Sequence, residues 1–66
     1  MYTKIEGTRV RLYLNSGRQV RQFDLPAPVA GVQVSGESDT DATVVINMQN
    51  GKTNVYMSSG RLIRKS

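Results

Sequence analysis

The chain has no cysteine, no histidine and no tryptophan among its 66 residues. Without cysteine no disulfide staples the fold, and no thiolate holds a zinc or iron–sulfur centre. Without histidine the commonest metal ligand and the usual acid–base group at neutral pH are gone. No apolar run approaches the roughly 18 residues that span a bilayer, and residues 1–15 alternate charged and apolar types instead of forming a secretory signal. These absences give the expectation of a soluble, non-secreted, cytoplasmic protein with no membrane partner. A chain this short hides only about 60% of the surface its unfolded form exposes. Its stability must come from a compact apolar core, from oligomerisation, or from both.

The charge that is present is unevenly laid out. The net charge is +4 and the pI is near 10. Residues 1–23 carry Lys4, Arg9, Arg11, Arg18 and Arg21 against Glu6, a balance of +4. Residues 24–41 carry Asp24, Glu37, Asp39 and Asp41 with no base, a balance of −4. Residues 42–66 carry Lys52, Arg61, Arg64 and Lys65 with no acid, again +4. Clustered bases fit a polyanionic partner such as nucleic acid. The plainer reading is that the excess keeps a small domain soluble.

Alternation of apolar and polar residues dominates, with no helical period. In Thr8–Leu14, Val10, Leu12 and Leu14 share one face while Arg9, Arg11 and Tyr13 share the other. Asn15-Ser16-Gly17 is turn chemistry. A three-residue loop with a left-handed Gly17 sets Leu12 opposite Val20 and Arg11 opposite Arg21 in the returning strand Arg18–Phe23. Leu25-Pro26-Ala27-Pro28 breaks the ladder, because proline has no amide donor. Val29–Val34 reads as a strand with Ala30, Val32 and Val34 on one side, and residues 36–41 as a polar loop. Asn50-Gly51 predicts a two-residue type I′ turn that pairs Gln49 with Lys52 and Ile46 with Val55. That register puts Val44, Ile46, Met48, Val55 and Met57 on one face, and Asn54 and Tyr56 on the other. Ser58-Ser59-Gly60 turns into a last short strand, Arg61–Arg64. The expectation is a single all-β domain over 1–66, with about six short antiparallel strands in a small barrel or propeller-blade-like sheet.

Tyr13-Leu14-Asn15-Ser16-Gly17-Arg18-Gln19-Val20-Arg21 returns 43 residues later as Tyr56-Met57-Ser58-Ser59-Gly60-Arg61-Leu62-Ile63-Arg64, with five of nine positions identical. A period in the low forties with four strands per unit resembles the blade repeat of β-propellers, though the Gly-His and Trp-Asp signatures are absent. One and a half such units cannot close a ring. The resemblance therefore implies a homo-oligomer, or a sheet curled into a small barrel.

No constellation in the chain carries catalysis, and an enzyme is not expected. Ser58 and Ser59 sit in a turn with no partner base. Glu37, Asp39 and Asp41 alternate along one loop but lack the length and the glycine of a calcium loop. No cofactor or metal is expected. The polar sheet face is more informative: Arg9, Arg11, Tyr13 and Arg21 would share one surface of the first hairpin, and Lys52, Tyr56 and Arg64 the equivalent surface of the second. Cations meet phosphates while tyrosine rings stack on bases at ~1–3 kcal/mol each, so the expectation is a non-enzymatic module binding single-stranded nucleic acid. The alternative is a self-assembling structural or protein-interaction domain, with the acidic loop of one copy answering the arginines of the next.

Overall fold

A computed structural model describes residues 1–36 and 40–65. The described chain is all-β, with seven strands in two antiparallel sheets. The first sheet has the order β1 (Tyr2–Glu6), β2 (Arg9–Tyr13), β3 (Gln19–Asp24). The second has the order β4 (Val29–Ser35), β5 (Thr43–Met48), β6 (Thr53–Met57), β7 (Leu62–Lys65). The strand beyond the six expected is β1. It pairs with β2 from Tyr2↔Tyr13 to Glu6↔Arg9 across a two-residue turn. Gly7 takes φ +62° there. Among the described residues neither sheet closes on itself, so the expected small barrel is not seen there. The acidic loop positions Glu37, Ser38 and Asp39 lie outside the described residues.

The inner faces of the two sheets share one core. Val10, Leu12, Phe23 and Leu25 meet Val29, Val44, Ile46 and Met48, all buried. The proline corner joins the layers: Leu25 N–H donates to the Thr8 carbonyl at 2.8 Å, and Val29 N–H to that of Gly7 at 2.9 Å. These bonds satisfy backbone groups in the segment where the ladder stops.

Three hairpins use one loop. Leu14 N–H donates to the Arg18 carbonyl, Met48 N–H to that of Lys52, and Met57 N–H to that of Arg61, at 2.8–2.9 Å. In each, the third loop residue is a glycine, with φ +95° at Gly17, +87° at Gly51 and +98° at Gly60. Among the described residues no other residue type has positive φ. The type I′ turn expected at Asn50-Gly51 needs positive φ at both positions and is not what forms. Instead the Asn50 side-chain oxygen accepts the Lys52 N–H at 3.0 Å, which supports the longer loop.

That single-residue difference flips β6. Ile46 opposes Asn54, Val44 opposes Tyr56, and Val45 opposes Val55. Asn54 and Tyr56 therefore face inward, contrary to the sequence expectation, and Val55 faces outward beside Val45. The inner register brings the Tyr56 ring 4.7 Å from that of Phe23, tilted by 38°. This cross-sheet aromatic contact outweighs what a buried Val55 offers, because an aromatic ring buries more area and gains the ring–ring term.

The first long hairpin departs by a bulge. Its loop is the expected one and Tyr13 opposes Gln19, but Leu12 then opposes Arg21 with Val20 as the extra residue. Arg11 thus opposes Gln22, and the like-charge pair with Arg21 does not form. The repeat hairpin has the same bulge at the same place: Tyr56 opposes Leu62 and Val55 opposes Arg64, with Ile63 extra. A third irregularity sets Ala30 out of the face that Val32 and Val34 share. The two repeat hairpins nonetheless present opposite faces to the core, since Tyr13 points outward and Tyr56 inward. The two copies thus share the turn and the bulge but not the face they turn to the core.

Candidate nucleic-acid interface

The outer face of the first sheet holds Arg9, Arg11 and Tyr13 together, as the alternation predicts. Tyr13 stacks on Tyr2, with ring centroids 5.2 Å apart and planes 14° from parallel. Tyr2 and the neighbouring Lys4, which opposes Arg11, were not legible as site residues because no strand was assigned to residues 2–6. The two arginines are already answered. Arg9 Nε donates to Asp24 Oδ1 at 3.0 Å. Arg11 Nε lies 2.8 Å from Glu6 Oε1 without hydrogen-bond alignment, so that contact is Coulombic.

The remaining expected site residues do not join them. Tyr56 is half-buried against Phe23. Arg64 opposes Val55, on the outer side of the second sheet. Arg21 leans from β3 to the other sheet: a Cβ on Gly60 would sit 3.1 Å from its Nε and 3.2 Å from its Cζ. A side chain at that position would require the guanidinium to shift by a few tenths of an ångström. Lys52 lies at the far end of the molecule, beside Lys65.

Arg21 and Lys52 instead mark the two ends of a seam between edge strands β3 and β7. Arg21 meets Gly60 just before β7, while Pro26, just past β3, shares a pocket with Lys65 at the end of β7. These two contacts relate β3 and β7 in the same direction along an open side of the molecule, the seam; among the described residues no ladder joins the two edges and backbone contact between them is sparse. At one end lies a concavity of about 240 Å³ whose polar lining includes Arg18, Gln19, Arg21, Thr40 and Ser59. At the other end is one of about 230 Å³ lined by Pro26, Met48, Lys52, Asn54 and Lys65. Gln19, which lines the arginine end, also opposes Tyr13, whose ring stands with Tyr2 on the outer face of the first sheet.

The serines behave as turn residues. Ser58 is fully buried, its Oγ accepting the Ala42 N–H at 3.1 Å while its own N–H donates to the Ala42 carbonyl at 2.8 Å. Among the described residues no group of three acidic side chains is placed to hold a metal ion, and no helix is long and apolar enough to cross a membrane. Comparisons with protein-family models, with curated proteins and with solved structures find no match.

Proposed function

We propose that this chain is a non-enzymatic module that binds single-stranded nucleic acid along the β3/β7 seam, with Tyr2 and Tyr13 as the stacking platform. The observation that carries the reading is how the charge is divided. Arg9 and Arg11 sit against Asp24 and Glu6. Arg18, Arg21, Lys52 and Lys65 take part in neither pair and line the two concavities. Concave cationic sites at both ends of one groove follow a flexible phosphate backbone, and exposed tyrosine rings accept bases of any sequence. A mobility shift with short single-stranded oligonucleotides at low salt tests this. Arg18→Glu with Arg21→Glu abolishes the shift while the circular dichroism stays that of the unmutated protein; no shift with the unmutated protein sinks the reading.

A second reading, self-assembly, is favoured by β7. It is an edge strand with every described residue exposed, and Leu62 and Ile63 are 42% and 53% accessible. Unpaired edges with apolar side chains pair readily with another chain. The mass in solution separates the readings, because a β7-paired oligomer persists in high salt whereas phosphate contacts weaken steeply.

A further inference from the structure

Building on the nucleic-acid reading, we infer that the concavity at the lysine end of the seam takes a single unstacked nucleobase, whose edge is read by the side-chain amide of Asn54. Its volume of about 230 Å³ is smaller than the ≈ 300–1,000 Å³ of sites for drug-sized ligands and suits one planar heterocycle. Met48 and Pro26 supply apolar surface for the face of a ring. Lys52 and Lys65 stand at the same site, and Lys65 is directly opposite Asn54 in the ladder. They supply the charge for the phosphates on either side of the base.

Asn54 is the informative residue. It is only 4% exposed, one of two buried polar residues among the described residues, and it lines this cavity. Burying an amide costs free energy unless its groups are bonded, and an apolar residue would serve a pure core position better. The Asn54 Nδ2 donates to the Tyr56 hydroxyl at 3.2 Å, which fixes the plane of the amide. One N–H and the carbonyl oxygen are then left for a ligand. A paired donor and acceptor held rigidly beside an apolar slot matches the edge of a base, and single-stranded recognition works by such splayed bases. The arginine end has no comparable buried amide among its lining residues and serves as a phosphate site only.

The test is a ¹⁵N-labelled protein titrated with single-stranded octamers of one base type each. The inference predicts that the Asn54 side-chain NH₂ signals move and saturate with the bulk affinity, and that one base type binds best. Asn54→Ala then lowers affinity for that octamer about tenfold and levels the series. If Asn54→Ala does not fold, the titration of the unmutated protein decides alone. Octamers that bind with equal affinity and leave the Asn54 amide stationary overturn the inference while the nucleic-acid reading stands. If no octamer binds, both fall.

Discussion

Tyr56 and Phe23 meet across the two sheets, their ring centroids 4.7 Å apart. This contact ties β6 to β3 below the seam, and the Tyr56 hydroxyl accepts the Asn54 amide at 3.2 Å. One side chain thus serves both the core and the wall of the lysine-end cavity.

Tyr56→Phe keeps the ring contact and removes the acceptor, leaving a buried donor unmet at a cost of about 1–3 kcal/mol. Tyr56→Ala also loses the ring and costs more. Urea unfolding of the two variants checks the order; a Tyr56→Phe protein as stable as the unmutated one contradicts the assigned hydrogen bond.

Gly60→Ala and Gly51→Ala separate strain from contact. Both glycines hold positive φ, +98° and +87°, so each substitution costs about 1 kcal/mol or more. Only at Gly60 does the new methyl also press on Arg21, with nothing within 4 Å at Gly51. Gly60→Ala is therefore the more destabilising, and pairing it with Arg21→Ala recovers part of the excess in a double-mutant cycle. Equal losses at the two glycines would mean that Arg21 does not rest on the Gly60 backbone.

The strand content and the tight turns were legible in the sequence, because alternation and Gly17, Gly51 and Gly60 are local signals. The face assignment of β6 was not. A two-residue and a three-residue loop both fit Gln49-Asn50-Gly51, and the longer one brings the Asn50 side chain onto the Lys52 N–H and Tyr56 onto Phe23, far away in the chain. The bulges at Val20 and Ile63 were equally silent, since an inserted residue leaves the alternation on either side intact. For the site, Arg9, Arg11 and Tyr13 were rightly grouped on one face, yet their neutralising partners Glu6 and Asp24 lie on other strands. Arg21 and Lys52 belong to a seam that exists only once the two sheets are docked.

The Arg9–Asp24 pair is exposed, with side-chain accessibilities of 44% and 68%, whereas the Nε of Arg11 is buried beside Glu6. Exposed pairs contribute about 0–1 kcal/mol. Arg9→Gln accordingly leaves stability nearly unchanged, and Arg9→Gln with Arg11→Gln lowers oligonucleotide affinity far less than Arg18→Gln with Arg21→Gln. Parallel binding isotherms decide; the reverse order would move the site to the outer face of the first sheet.

Tyr13→Ala removes one ring of the stacked pair on the outer face of the first sheet. The loss expected for one base stacked on one ring is about 1–3 kcal/mol of binding energy, with the fold retained because Tyr13 lies outside the core. Fluorescence quenching of the tyrosines on addition of oligonucleotide reports the same contact, and an unchanged affinity in Tyr13→Ala would exclude it.

The most direct test of the seam as a phosphate-binding groove is the salt dependence of single-stranded oligonucleotide affinity, followed by fluorescence anisotropy. Four seam cations on four phosphates predict a log–log slope of about −2.8, falling to about −1.4 in Arg18→Gln with Arg21→Gln. A slope near zero, or one that the double substitution leaves unchanged, would contradict the account.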